Sequence, residues 1–513
     1  MPSFLIRRPG LVALLLGAIA ATGFAPLQFW PLTLLGLAGL AALVHAAPTG
    51  KRAMWIGWCW GVGHFTINNN WFQHAFDFQD KMPPVLGYVA AVGVALYLAV
   101  FPMLTAGIGW RFGRRWRPDA GYALIFAAAW IASEYLRSIL FTGYAWDPIG
   151  VIWLPVIGVA RLSAWIGTYA LSGVTVLAAV SLLMLWQRHW RMPGAIAGLL
   201  ALAALSAGWT QAPAASADAP LLRVVQPNIG QEARGIDDQE RMLAALIRHS
   251  GRPGSRPRLV LWPEGVITDY LESGYPRYIY DGQSPLFNRW RLVQMLGPRD
   301  LLMTGHTPLR FDAADDVAGA ANSVFALNAR AQIVGRYDKA HLVPFGEYLP
   351  LPWLLRPLGI ARLVPGDIDF DDGPGPRTLI FPGFGAIGFQ TCYEIIFSGQ
   401  VVDRAHRPRM IFNPSTDAWF GRWGPPQHLA QARMRAIEEG LPIVRSTPTG
   451  ISAVIAADGR LLGTVPHETA GAIELPMPSA LPPTPFSRLG NWAALIVAAA
   501  FVIAAIAIRR RAR

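Results

Sequence analysis

A thiol, a carboxyl group and an ammonium group, each set at a strand end, can together make a cysteine nucleophile. Three runs of this 513-residue chain supply them. Cys392 stands in Phe389-Gln390-Thr391-Cys392-Tyr393-Glu394. The only other cysteine, Cys59, lies in an apolar stretch near the N-terminus, so Cys392 serves either packing or reactivity. Glu264 closes the apolar run Leu259-Val260-Leu261-Trp262-Pro263-Glu264, and Lys339 sits in Tyr337-Asp338-Lys339-Ala340-His341. Lysine is rare here: beside Lys339 there are only Lys51 and Lys81, and arginine carries the remaining positive charge. A lysine kept where arginine is the habit marks a place that requires a compact ammonium.

Such a nucleophile needs a base, a stabiliser for the developing oxyanion and a dry pocket. Glu264 can take the thiol proton if burial raises its pKa towards neutrality. Lys339 can lower the thiol pKa and, with a backbone N–H beside Cys392, stabilise a tetrahedral intermediate. Taken singly, the three also read as a capping carboxylate, a surface lysine and a small buried hydrophobe. Their shared placement at strand ends favours a site.

Residues 213–482 supply the strands. Apolar or β-branched runs bounded by Gly, Pro, Asn and Asp predict strands at Leu222–Gln226, Arg258–Trp262, Leu301–Thr304, Ser323–Asn328 and Gln332–Arg336. Further runs fall at Thr378–Phe381, Ala386–Gln390, Met410–Asn413, Ile443–Ser446 and Ser452–Ala456. Helical spacing marks Asp237–His249 and Gln427–Glu439. About 265 residues suit one layered α/β domain, in which strand ends hold side chains at the lip of a pocket.

The rest of the chain is apolar. Hydrophobic residues make up 53% and charged residues 15% of the whole, and the excess is concentrated before residue 210 and after 483. Eight stretches, at 9–25, 29–47, 53–70, 84–108, 120–141, 162–186, 192–210 and 488–508, approach the length of about 20 residues needed to span a bilayer. The first is read as a retained span, not a removed signal peptide. Residues 1–212 are thus expected to form a seven-span transmembrane domain, with 213–482 a catalytic domain and 483–513 one more span with a basic tail. Every second loop is basic (Arg7-Arg8, Lys51-Arg52, Arg111 to Arg117, Arg188 with Arg191, Arg509 to Arg511). By the positive-inside rule both termini face the cytoplasm and the catalytic domain lies on the opposite, periplasmic face of a bacterial inner membrane. The net charge of +12 then needs no nucleic acid.

The three chemical runs resemble the Glu–Lys–Cys site of the nitrilase (carbon–nitrogen hydrolase) superfamily. Joined to eight spans, the chain looks like the bacterial apolipoprotein N-acyltransferase family, nearly end to end. The more specific matches are His341-Leu342-Val343-Pro344-Phe345-Gly346-Glu347-Tyr348, Asp417-Ala418-Trp419-Phe420-Gly421, and Gln427-His428 through Arg433-Met434-Arg435-Ala436. The resemblance implies a periplasmic αββα sandwich, a catalytic Glu264, Lys339 and Cys392, and supporting or substrate-binding roles for Glu347, Tyr393 and Glu394. It also implies a ping-pong acyl transfer, from a membrane phospholipid through a Cys392 thioester to the N-terminal diacylglyceryl-cysteine of apolipoproteins. The expected partners are those two lipids and the bilayer, with the protein a monomer. Departures from the family pattern fall at Gly235, Thr416 and Thr447-Pro448-Thr449.

Two other functions share some features. A membrane-tethered amidase would use the same triad, though eight spans exceed what tethering needs. A transporter would carry charge pairs within its spans, where only Glu134 and Arg137 come close. The 10 histidines show no metal-binding spacing, so no metal is expected and the chemistry requires no cofactor. His341 is read as structural, and Asn68-Asn69-Asn70 as a polar cap at a span end in preference to a lipid entry. The apolar, proline-broken stretch 349–365 is expected to form a lipid-access arm in which Trp353, Leu354 and Leu355 touch the bilayer.

Overall fold

The computed structural model describes residues 8–78, 83–114, 117–186, 188–208, 211–230, 236–280, 282–358, 362 and 368–511. Its first part is built from apolar helices: Pro9–Ala21, Trp30–Ala46, Gly50–Asn68, Leu86–Leu98 continuing through Val100–Ile108, Ala120–Ile139, Ser163–Trp186 and Arg191–Leu205. Trp492–Arg511 returns to them at the C-terminus. Among the described residues, Leu86–Gly113, Ser163–Leu185, Arg191–Gly208 and Trp492–Arg511 are long and apolar enough to cross a membrane, while Pro9–Ala21 and Trp30–Ala46 are apolar but shorter. Small residues let these helices touch backbone to backbone. A Cβ on Gly17 would lie 2.0 Å from Trp60 O, and one on Gly63 would lie 2.0 Å from Leu14 O.

The α/β part holds β1 (Leu221–Gln226), β2 (Arg258–Leu261), β3 (Leu301–His306), β4 (Leu309–Phe311), β5 (Val317–Ala320), β6 (Ser323–Asn328) and β7 (Ile333–Asp338). Then follow β8 (Thr378–Phe381), β9 (Gly385–Phe389), β10 (Met410–Pro414), β11 (Ile443–Ser446), β12 (Ser452–Ile455), β13 (Leu461–Val465) and β14 (Gly471–Pro476). Two six-stranded sheets result, ordered β14-β1-β2-β3-β6-β7 and β13-β12-β11-β10-β9-β8. Every expected strand is present. The sequence reading missed β4, β5, β13 and β14, and also the helix Pro285–Val293. Gly and Pro at both ends of β14 obscured it, and its antiparallel pairing with β1 comes from opposite ends of the domain.

Side-chain alternation builds the layers. Leu222, Val224, Leu259 and Leu261 point between the sheets, where they meet Phe389, Met410, Phe412, Val444 and Val454. The other faces of the same strands turn outward. Val225, Val260 and Leu302 pack on Leu243, Leu246 and Leu292 of the helices Ile236–Ser250 and Pro285–Val293. Ile411, Ile443 and Ile455 pack on Leu429, Ala432 and Ala436 of the helix Gly424–Glu439. The order is helix, sheet, sheet, helix.

That last helix also joins the two parts of the chain. Trp71, Ala145 and Trp146, from the apolar-helix region, share its hydrophobic cluster. Arg435 Nε pairs with Glu438 Oε2 at 2.8 Å, and Glu438 Oε1 accepts from the backbone and side chain of Thr168 at 2.7 and 2.6 Å. Asn68 and Asn69 lie in this seam. Both are buried, with Asn68 bonded to Asp147 and Gln427 and Asn69 to Tyr144, so neither forms the exposed cap expected of them. Glu134 and Arg137 also anchor here, on Ile149 N and Trp146 O.

Candidate active site

Cys392 opens a short turn, Cys392–Ile396, directly after β9 and Gln390-Thr391. Its φ is +49°, a left-handed conformation that costs a residue with a side chain about 1–2 kcal/mol. Hydrogen bonds on both sides hold it there. Thr391 N donates to Glu394 Oε2 at 2.6 Å, and Cys392 O lies 3.1 Å from His428 Nε2. The thiol itself is 3.7 Å from Thr416 O, as donor.

The carboxyl group and the ammonium come from the other sheet. Glu264 follows β2 by way of Trp262-Pro263, and Lys339 is the first residue after β7. Lys339 Nζ lies 2.9 Å from Glu347 Oε1 and 3.7 Å from Glu264 Oε1. Asn322 Nδ2 bridges the same two oxygens, at 2.7 Å to Glu264 and 2.6 Å to Glu347. Glu347 Oε2 accepts from Val343 N at 2.8 Å, which fixes that carboxylate on its own loop. Glu264, Asn322, Lys339, Glu347 and Cys392 are all at most 9% exposed.

Two carboxylates around one ammonium set the electrostatics. Burial works against a charged Lys339, but Glu347 and Glu264 outweigh it and hold its pKa above the ordinary lysine value. Burial raises the Glu264 carboxyl and Glu347 raises it further, while Lys339 opposes both. Among the described residues Glu264 Oε2 is buried without an ordinary hydrogen bond, and the Cys392 side chain is near enough to favour its ionised form. Burial pushes the Cys392 thiol well above its usual value, Glu264 adds to this, and Lys339 only partly offsets them. Lys339 thus lowers the thiol pKa as expected, but not enough to bring it below its usual value. Proton removal has to accompany attack, which is the work of a base beside the sulfur.

The profile described as "Apolipoprotein N-acyltransferase N-terminal domain" matches residues 16–181, and that described as "Carbon-nitrogen hydrolase" matches residues 221–479. A protein of Rhodopseudomonas palustris named apolipoprotein N-acyltransferase is 30% identical, over 98% of this chain and 95% of its own length. Proteins of the same name from Caulobacter vibrioides and Ralstonia nicotianae are 33% and 32% identical, over 97% and 100% of this chain and 94% and 96% of theirs. This chain belongs to the apolipoprotein N-acyltransferase family. Among solved structures, Saccharomyces cerevisiae Nit3 covers 52% of the chain and 93% of itself, at 17% identity and a TM-score of 0.37.

Within this N-acyltransferase fold the expected supporting residues do different things. Glu394 is a clamp: Oε1 accepts from Ala340 N at 2.8 Å and His341 N at 3.0 Å, while Tyr337 OH lies 2.9 Å from both its oxygens. With Oε2 on Thr391 N, it ties the Lys339 loop to the Cys392 turn. Tyr393 turns away from the reacting groups and donates its hydroxyl to Gly143 O, in the apolar-helix region, at 3.1 Å. His341 stacks on Phe397 with ring centres 3.8 Å apart and reaches Thr142 O, a structural contact as expected.

Asn322, His428, Asp417 and Arg445 were not singled out from sequence. Asp417 and His428 lie within motifs that carried the family resemblance, whereas nothing local marked Asn322 or Arg445. The departures fare unequally. Thr416 lies inside the site, its hydroxyl on Glu264 O at 3.2 Å and its carbonyl at the thiol. Thr447 is buried and bonded to Gln226 and Ser452, so it knits β11 to β1. Gly235 lies outside the described residues.

In the stretch 349–365, Trp353 is 74% and Leu354 44% exposed, and Leu355 is half-buried. Residues 359–361 and 363–367 lie outside the described residues. Of its two arginines, Arg356 is exposed, but Arg362 turns inward to Glu347 O at 3.1 Å and to Asp369. Arg362 is thus engaged within the domain. A small cavity lined by His64, Glu134, Arg137 and Asp147 lies among the apolar helices, and none of the triad lines it. Among the described residues no cluster of His, Cys, Asp or Glu has a metal-binding arrangement.

Proposed function

We propose that the chain transfers an acyl chain from a membrane phospholipid to the α-amino group of a diacylglyceryl-cysteine at an apolipoprotein N-terminus, through a thioester on Cys392. The observation that carries this is the buried Glu264 oxygen that has no ordinary hydrogen bond among the described residues, in a site that also holds the Cys392 thiol and the Lys339 ammonium. Glu264 takes the thiol proton as sulfur attacks the ester carbonyl. The C–S bond forms, the ester C–O bond breaks, and the proton passes to the departing lysophospholipid hydroxyl. The lipoprotein amine then attacks the thioester carbonyl, the C–S bond breaks, and Glu264 returns the amine's proton to the sulfur. Lys339 stabilises the oxyanion in both steps, while Glu347 and Asn322 hold Lys339 and Glu264 in place. Keeping water out prevents loss of the thioester, and a site fed from the bilayer does so.

The apolar helices at 1–212 and 483–513 form eight spans in this reading, with both termini cytoplasmic and residues 213–482 in the periplasm of a bacterium, at its inner membrane. Basic loops alternating with arginine-poor ones support that orientation. Trp353, Leu354 and Leu355 lie on an arm that admits lipid. A direct test loads the purified protein with phospholipid, removes the donor and adds a synthetic diacylglyceryl-cysteine peptide. One equivalent of triacylated peptide should form per loaded enzyme. Release of free fatty acid in its place would favour the amidase-like reading.

A further inference from the structure

The helix Gly424–Glu439 touches the nucleophile and the apolar helices through adjacent residues. His428 Nε2 lies 3.1 Å from Cys392 O. Gln427, one residue earlier, places Nε2 3.0 Å from Asn68 O and accepts at Oε1 from Trp146 Nε1 at 2.9 Å. One turn on, Gln431 Nε2 donates to Asp147 Oδ1 at 2.8 Å, and Asn68 Nδ2 donates to the other oxygen of Asp147 at 3.0 Å. Asn68 ends the helix Gly50–Asn68, and Trp146 and Asp147 follow the helix Ala120–Ile139. All five side chains other than Trp146 are at most 2% exposed, as is Trp146 itself, so water cannot replace a lost partner.

The proton on His428 Nε2 follows from the group that nitrogen faces. Arg445 Nη2 lies 3.0 Å from His428 Nδ1 and 2.5 Å from Asp417 Oδ1, and a guanidinium nitrogen can only donate. Nδ1 also lies 3.0 Å from Asp417 Oδ1, so it stands between a donor and an acceptor, whereas Nε2 faces the Cys392 carbonyl oxygen, which can only accept, and so carries the proton that it donates there. That bond holds one side of a peptide whose left-handed conformation aims the thiol.

We propose that Gln427 and His428 make the aim of Cys392 depend on docking of the apolar helices. The seam at Asn68 and Trp146 fixes the helix, and the helix fixes the Cys392 carbonyl. Both are positioning residues: they act on the peptide and not on the sulfur. The inference rests on Cys392 being the acylated group.

The test uses the full-length protein in phospholipid nanodiscs and follows acylation of Cys392 by intact mass, per folded molecule, at varied donor density. His428→Leu removes the donor and should slow acylation at saturating donor by about ten-fold, with half-saturation little changed. His428→Gln, which keeps an N–H near the Nε2 position, should recover most of the rate. Gln427→Met cuts the seam without touching Cys392 O and should also slow acylation. Combined with His428→Leu it should add nothing, because both act through one link. A purely structural role would lower the yield of folded protein and leave the rate per folded molecule unchanged. Wild-type rates in Gln427→Met, or effects that multiply in the double variant, would overturn the proposal. Should His428→Leu not fold, Gln427→Met and Trp146→Phe carry the test, and wild-type rates in both would overturn it. If the wild-type protein is never acylated, the proposed function fails. Slower alkylation of Cys392 by iodoacetamide in Gln427→Met would still support the seam, and unchanged alkylation would reject it.

Discussion

Asn322 donates its amide to one oxygen of Glu264, at 2.7 Å, in a site where the other oxygen of that carboxylate has no ordinary bond among the described residues. The bond keeps Oε1 occupied and leaves Oε2 to handle protons. The same amide holds Glu347 at 2.6 Å, so one side chain separates two carboxylates that would otherwise repel. Asn322→Ala should lower the rate of thioester formation by about ten-fold or more, with donor half-saturation little changed. Asn322→Asp should be worse, because it adds a third carboxylate beside Lys339. Rapid-quench measurement of acyl-enzyme decides this, and near-normal rates would remove Asn322 from the site.

The pH profile should report Glu264. Burial and the nearby Glu347 raise its pKa, and only the ionised form can act as base. Acylation should therefore switch on with rising pH at a midpoint above the ordinary glutamate value of about 4.3. The limb should vanish in Glu264→Gln along with most activity. A limb at the ordinary value in the wild-type enzyme would contradict a buried base.

Beneath Cys392, Asp417 predicts an acid-stability effect. Burial alone would raise its carboxyl, but Arg445 and His428 hold it down to about 2. Its folded pKa is thus below the unfolded value of about 3.9, so its stabilisation is full above that value and fades as pH falls towards 2. Asp417→Asn leaves Arg445 buried without its counter-charge and should cost about 3–5 kcal/mol at neutral pH. The difference between variant and wild type should shrink below pH of about 4. Denaturant unfolding at several pH values measures both.

The exposed Trp353 and Leu354 should matter only when the donor comes from a bilayer. Trp353→Ser with Leu354→Ser should slow acylation from vesicle phospholipid by about ten-fold while sparing reaction with a short soluble ester. An equal fall in both would make the segment part of the domain core.

Much of this was legible in the sequence because the chemistry sits at strand ends. Glu264, Lys339 and Cys392 each follow a run whose composition marks a strand, and two sheets packed face to face bring those ends together. Asn322 was not legible for a specific reason. Lys339 N bonds Asn322 O, and Ser323 pairs with Asp338, so β6 and β7 bring Asn322 beside Lys339. A register irregularity between Ala326 and Leu327 shifts that pairing, so counting back from the hairpin would set Asn322 opposite Asp338 instead. Asn68 was misjudged because a polar residue ending an apolar helix looks the same whether it meets water or a docked domain. Its partners Asp147 and Gln427, far along the chain, distinguish the two.

The most direct measurement is the mass of the purified protein after incubation with a phospholipid of defined acyl chains, followed by peptide mapping. The account predicts one added acyl group on Cys392, removable by hydroxylamine, absent from Cys392→Ser and unaffected by Cys59→Ala. An acyl group on another residue, or acyl transfer that survives in Cys392→Ser, would contradict it.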